Sequence, residues 1–219
     1  MHSMSRFTLQ FIAVLCLAFT ACTSPKDPLL DPASKEWSVI APESYVVRVE
    51  TTKGDFEISV DRSNAPIGAD RFYNLVRLGY YNDARFHRVA PGFITQFGLA
   101  GEPKYSQIWM NQPIKDDPNK ISNVRGTIAF AFTEPNTRTT QLYINMVDNA
   151  RLDAGGFAPL GSISKGMEVV DQIYSGYGET AGGGVRGGDQ SKIVEEGNAY
   201  LDREFPLLDK LISARIAKD

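Results

Sequence analysis

Thiol and imidazole groups are almost missing from this chain, which has two cysteines, Cys16 and Cys22, and two histidines, His2 and His87, among 219 residues. Zinc sites built on His and Cys therefore lack ligands, and a Cys nucleophile with a His base has little to be made from. No apolar run reaches the ~20 residues that a membrane-spanning helix needs. The longest, Phe11 to Phe19, is bounded by Gln10 on one side and by Pro25, Lys26 and Asp27 on the other. Positive charge is not in excess either: 23 Lys and Arg stand against 26 Asp and Glu, a net charge of −3. Nucleic acid is not an expected partner.

What the N-terminus does carry is the pattern of an export signal over residues 1–21: Arg6, an apolar run and small residues leading to Cys22. Phe19-Thr20-Ala21-Cys22 resembles the lipobox of bacterial lipoproteins, in which the cysteine is acylated and becomes the first residue. Phe19 stands where Leu is usual, and simple secretion is the alternative. The expectation is lipidation at Cys22 and a lipid-anchored protein facing the periplasm. Thr23, rather than Asp, follows Cys22, which leans toward the outer membrane of a two-membrane cell. Cleavage there discards Cys16 and leaves no thiol for a disulfide. It also removes Arg6, so 23 − 1 = 22 basic residues against 26 acidic ones give −4.

Residues 22–43 hold Pro25, Pro28, Pro32 and Pro42 with few periodic apolar positions, the composition of an extended tether. The folded domain is then expected over 44–219. Tyr45 to Val60 alternates with period two around Lys53-Gly54, which predicts a hairpin. Asn64 as a candidate N-cap, Pro66 in the first turn, apolar Phe72, Leu75 and Val76 and a stop at Gly79 predict an amphipathic helix. Short strand-like runs follow at Arg85–Val89, Phe93–Phe97, Thr127–Phe132, Gln141–Asn145 and Phe157–Ile163, favouring a closed antiparallel sheet. Gly166 to Ser175 suggests a second, shorter helix, and Ala199 to Ala217 a terminal amphipathic helix interrupted near Pro206. Gly182, Gly184 and Gly187 satisfy G-x-G-x-x-G formally, but strand-like Lys192 to Val194 follows them, so a flexible loop is expected.

With cleavage before Cys22, His87 is the one histidine left, and no strand-turn-helix serine motif accompanies it. Asp116-Asp117 and Glu195-Glu196 could serve a carboxylate metal site, although adjacent acids more often mark solvated loops. What remains needs no acid, base or metal. Arg88, Phe93, Ile94 and Gln96 can converge through the Pro91-Gly92 turn. Taken alone, an arginine beside apolar residues reads as a solvated side chain.

The wider pattern is more specific. Phe86-His87-Arg88, Pro91-Gly92-Phe93 with Gln96, Gly126-Thr127-Ile128-Ala129, Pro135-Asn136-Thr137, Gln141-Leu142-Tyr143-Ile144 and Leu152-Asp153 resemble, in order and spacing, the signature of the cyclophilins. The resemblance runs from about Val46 to Ser175. It implies a mainly β fold, a closed eight-stranded antiparallel barrel capped by two helices, here with a C-terminal helix added. It implies peptidyl-prolyl cis/trans isomerase activity without a cofactor. Position by position, Arg88 resembles the family's catalytic arginine, while Phe93, Ile94, Tyr143 and Leu152 resemble the floor and wall of its proline pocket. Gln96 and Gln141 resemble its polar contacts, and Ala131 and Phe132 the strand edge that holds the substrate backbone. Phe157 aligns with a further pocket residue if Ala154-Gly155-Gly156 takes one extra residue. Arg151 stands where many members carry a tryptophan that supports cyclosporin binding, Phe97 where glycine is usual, and Tyr143 where phenylalanine is usual. The implied partners are proline-containing unfolded or partly folded proteins, together with a membrane through the lipid anchor; a monomer is expected. A proline-segment-binding chaperone with little catalysis is the rival reading.

Overall fold

A computed structural model describes residues 27–182 and 189–217. The leader, Cys22, and Gly184 and Gly187 of the glycine pattern lie outside the described residues.

The alternation around Lys53-Gly54 forms β1 (Ser44–Thr51) and β2 (Gly54–Asp61), with Thr51 opposite Gly54. Gly54 takes φ +123°, a conformation that an L side chain resists. The inward positions are those the period-two pattern selects, Val47, Val49, Phe56, Ile58 and Val60, all buried. The remaining strands are β3 (Ala84–Arg85), β4 (Arg88–Ala90), β5 (Ile94–Phe97), β6 (Thr127–Phe130), β7 (Leu142–Asn145), β8 (Pro159–Lys165) and β9 (Lys210–Ile216). They make one antiparallel sheet in the order β3-β9-β1-β2-β8-β6-β7-β5-β4. Its two edge strands, β3 and β4, are separated in sequence by only Phe86 and His87. The sheet must therefore curl until its ends nearly meet, although no ladder joins them among the described residues.

The sheet has nine strands where the sequence suggested eight, and the extra one corrects the expected terminal helix. Only Asn198–Glu204 is helical; Pro206 has no N–H to continue a helix, and β9 then pairs with both β1 and β3. A bulge explains why the tail looked helical. The β1–β9 register shifts between Glu50 and Thr51, which face Ser213 and Leu211. The skipped residue, Ile212, is exposed, while Leu211 and Ala214 are both buried. One inserted residue thus turns a period of two into an apparent period of three.

Five helices are described: α1 (Pro66–Arg77), α2 (Pro103–Trp109), α3 (Met167–Val170), α4 (Gln190–Glu196) and α5 (Asn198–Glu204). The apolar stripe of α1, with Phe72, Leu75 and Val76, is buried in the main core. Its N-cap is Ala65, not Asn64, and has no capping side chain. Asp117 supplies the cap from a distant loop, accepting hydrogen bonds from Ile67 N at 2.9 Å and Gly68 N at 2.8 Å. Buried and bonded to Arg138, Asp117 is not the solvated acid that its neighbour Asp116 suggested. Strand-like Lys192 to Val194 belongs to α4, which is capped by the Asp189 side chain. Ile193 and Val194 pack with Leu99, Tyr200, Leu201 and Leu208 in a second apolar cluster.

The proline-rich N-terminal segment docks on the domain from Asp27 onward. Its two short 3-10 turns cover Pro28–Leu30 and Lys35–Ser38. Leu29 and Ala41 are buried, and the Trp37 and Trp109 rings lie 3.9 Å apart between centroids. Trp109 Nε1 donates to Leu29 O at 2.9 Å, and Ala41 N to Asp70 Oδ1 at 2.9 Å. Leu29 and Trp37 supply apolar area that the proline count conceals, so the described part of the expected tether, from Asp27 onward, is docked rather than extended.

Candidate active site

Four strands build one wall of the site by register alone. Arg88 of β4 faces Gln96 of β5, Gln96 faces Tyr143 of β7, and Tyr143 faces Ala129 of β6. Residues in one cross-strand row share a face of the sheet, so the row carries a cation, an amide and an aromatic ring side by side. The Pro91-Gly92 turn, with Gly92 at φ +68°, brings Phe93 beside that row. Ile94, Ala129 and Tyr143 form an apolar cluster separate from the main core, with Phe93, Ala131, Leu152 and Phe157 packed against it.

The cleft above this cluster has a volume of about 700 Å³ and brings together the expected catalytic and substrate-binding residues: Arg88, Phe93, Ile94, Gln96, Ala131, Phe132, Gln141, Tyr143, Leu152 and Phe157. Phe157, reached through the extra residue in its turn, stacks on Phe132 at 4.2 Å and meets Tyr143 edge-on at 6.0 Å. The Tyr143 hydroxyl, unexpected in an apolar pocket, donates to Asn123 Oδ1 at 2.8 Å. Asn123 Nδ2 in turn donates to Asp153 Oδ1 and Phe157 O, at 2.8 and 2.7 Å. Desolvation would raise the Asp153 pKa, but hydrogen bonds from Ser122 and Asn123 outweigh it and bring the carboxyl down to about 2. The loop bearing Leu152 and Phe157 is thereby anchored by a fixed anion.

Arg88 is held on two sides. Its Nη1 donates to Gln96 Oε1 at 3.0 Å and its Nε to Glu179 Oε1 at 3.0 Å, while Nη2 donates to the same Glu179 oxygen. The side chains are 13% and 18% exposed, so the pair is largely shielded. Backbone pairing fixes Glu179, because Val89 N donates to Gly178 O at 3.1 Å along the free edge of β4. From Gln96 the chain of amides continues to Gln141 at 2.8 Å, to Gln190 of α4 at 3.0 Å and to Gly182 O at 2.7 Å. The sequence reading missed Glu179 and Gln190, and also Met110, Thr133, Thr137 and Thr139, which line the cleft. A lone Glu after a glycine carries no local signal.

His87 points the other way. It is 0% exposed and does not line the cleft, so no hydrolase can use it as a base there. Neither ring nitrogen has a hydrogen-bond partner among the described residues; Gln141 and the Arg85 backbone lie nearby, but without bonding geometry. Burial pushes its pKa down from 6.5 to about 4. Between those values the unfolded chain binds more protons than the folded one, so stability falls as pH drops from 6.5 toward 4. About 2 kcal/mol is expected to be lost between pH 7 and pH 5 in urea unfolding. The His87→Leu variant should lack most of this loss; an equal loss would assign it to other groups.

The cleft thus sets a shielded guanidinium beside apolar surface, and its described lining carries threonine hydroxyls but no cysteine or histidine. Residues 46–195 match the family described as Cyclophilin type peptidyl-prolyl cis-trans isomerase/CLD. The chain is 40% identical over 149 residues to Peptidyl-prolyl cis-trans isomerase A of Dickeya dadantii, covering 65% of this chain and 77% of that one. It is 36% identical over 137 residues to Peptidyl-prolyl cis-trans isomerase B of Escherichia coli, covering 58% and 83%. Its fold is similar to that of a Cryptosporidium parvum cyclophilin type peptidyl-prolyl cis-trans isomerase, with TM-score 0.58 and 19% identity over 80% of this chain and 99% of that one. The chain belongs to the cyclophilin-type peptidyl-prolyl cis-trans isomerase family. It is an isomerase of X-Pro bonds.

Proposed function

We propose that Arg88 is the catalytic residue of this isomerase and that Phe93, Ile94, Tyr143, Leu152 and Phe157 hold the proline ring. The observation that carries this reading is the arrangement of Arg88 donors at the cleft. A guanidinium has five N–H groups; three are engaged by Gln96 and Glu179. The remaining one on each terminal nitrogen is engaged by none of the described residues. Rotating an X-Pro amide breaks resonance against a barrier of about 18–20 kcal/mol, and the twisted prolyl nitrogen regains a lone pair. A donor at that nitrogen binds the twisted state better than either planar one. Ala131 and Phe132, just past the end of β6 rather than in a strand, border the cleft where the substrate backbone would lie, and Gln96 and Gln141 steady the carbonyl side.

Glu179 is a positioning residue in this scheme, keeping the guanidinium plane from swinging toward water. Exchange spectroscopy on an X-Pro peptide tests both roles, because binding alone leaves interconversion at its uncatalysed rate. Glu179→Ala is expected to lower kcat about tenfold with little change in peptide affinity, while Glu179→Gln, which still accepts hydrogen bonds, recovers most of it. A faster Glu179→Gln enzyme would instead make the carboxylate a brake on Arg88.

We further propose that the protein is a monomeric lipoprotein acylated at Cys22, facing the periplasm from the outer membrane and acting on proline-containing clients still incompletely folded. Four residues, Thr23 to Lys26, separate Cys22 from the docked Asp27, so the five Cα–Cα steps reach at most about 17 Å when fully extended. The catalytic domain would then work close to the lipid surface. Palmitate labelling should be lost in Cys22→Ser, and the protein should leave the membrane fraction; labelling that survives the substitution would exclude the anchor.

A further inference from the structure

Among the described arginines that are partly or fully buried, the one without a carboxylate partner lies away from the proline cleft. Of the others, Arg62 pairs with Asp70, Arg77 with Glu36, Arg85 with Asp83 and Asp202, Arg88 with Glu179, and Arg138 with Asp116 and Asp117. Arg71, partly buried on α1, pairs with none of the described carboxylates, and its Nη1 is shielded from solvent without a hydrogen-bond partner among the described residues. Burial, the largest influence on it, lowers its pKa. Its Cζ instead lies 5.2 Å from the centroid of the Trp109 ring. Buried charges ordinarily find a counter-charge, because the desolvation is otherwise uncompensated.

A cavity of about 230 Å³ opens beside it, between α1, the end of α2 and the docked N-terminal segment. Trp37, Ile67, Ile114 and Trp109 give it apolar walls, and Gln112 adds a carboxamide. Asp70 also borders it, but that carboxylate is committed: Oδ1 to Ala41 N and Arg62 Nε, Oδ2 to Arg62 Nη2. The cavity therefore offers one unneutralised cation beside aromatic surface. A single cation suits a monoanion better than a phosphate dianion, which would need further donors.

We propose that this cavity is a binding site for a small carboxylate with a flat, apolar body, the carboxylate on Arg71 and the body against the Trp37 and Trp109 rings. It shares no lining residue with the proline cleft, since Trp109 and Met110 at the end of α2 face different cavities. The proposal therefore does not depend on the catalytic assignment.

Both tryptophans of the chain are at this cavity. Their indole N–H groups donate to Pro28 O and Leu29 O, at 3.0 and 2.9 Å, so two indole signals in a nitrogen-15 NMR spectrum report on it. Titrating the protein with benzoate should shift both signals saturably, and benzamide, of the same shape without the charge, should bind at least tenfold more weakly. Arg71→Gln should abolish the saturable shift while X-Pro isomerisation stays at the wild-type rate, which also verifies the fold. No saturation with benzoate, an equal response to benzamide, or a stronger one to inorganic phosphate would overturn the proposal. Should Arg71→Gln not fold, the three probes on the wild-type protein decide the question alone.

Discussion

Arg88→Ala is expected to slow catalysed X-Pro interconversion by about two to three decades, a loss of about 3–4 kcal/mol of transition-state stabilisation. The loss should fall on kcat rather than on peptide binding. The apolar cluster of Ile94, Ala129 and Tyr143, with Phe93 and Phe157 packed on it, survives the substitution and still receives the proline ring. Arg88→Lys should rescue little. An ammonium cannot hold Gln96 and both contacts to Glu179 while still directing a donor at the prolyl nitrogen. Because the proposed rotation transfers no proton, wild-type turnover should be nearly flat with pH across the neutral range. The measurement is exchange spectroscopy at saturating peptide, with affinity determined on the same samples. Near-normal turnover in Arg88→Ala would refute the assignment, whatever the affinity.

How much of this was legible in the sequence depended on how local each signal was. The β1–β2 hairpin was readable because alternation and a turn glycine coincide within about twenty residues. Arg88, Ile94 and Gln96 were readable because β4, its turn and β5 are contiguous, so register sets them on one face, and the Pro91-Gly92 turn brings Phe93 beside them. Tyr143 and Leu152 came from the ordered blocks of the family signature, not from any periodicity. What stayed hidden arrives from far along the chain. Glu179 meets Arg88 across 91 positions, and the Asp117 cap meets Gly68 across 49. Neither residue sits in a pattern that points to its partner. The tail misled for a different reason: the bulge at Ile212 spaces Leu211 and Ala214 as a helix would, and pairing with β1 outweighs that local preference. The N-terminal segment misled through composition, since its prolines describe a free chain whereas Leu29 and Trp37 decide that it docks.

Asp117→Ala is expected to destabilise the domain by about 3–5 kcal/mol, the range for breaking a buried ion pair by removing one partner. Three groups depend on this carboxylate. Ile67 and Gly68 lose the acceptor for their N–H groups at the start of α1, where Ala65 provides no side-chain replacement. Arg138, with a side chain 2% exposed, loses the partner 3.1 Å from its Nη1. Asp116 is a poor substitute: its Oδ1 lies 3.1 Å from Arg138 Nε, yet neither atom makes a hydrogen bond. Asp117→Asn should fall between the two, since an amide can cap only one N–H and turns a donor toward groups that are themselves donors. Urea unfolding followed by far-ultraviolet circular dichroism measures the loss. Turnover of the protein that remains folded should change little, because Asp117 does not line the cleft. Thr137 and Thr139, on either side of Arg138, do line it, so a turnover loss matching the stability loss would mean that this ion pair also shapes the wall of the proline site. A destabilisation below about 1 kcal/mol would mean that water replaces the carboxylate, and Arg138 would then behave as a surface charge.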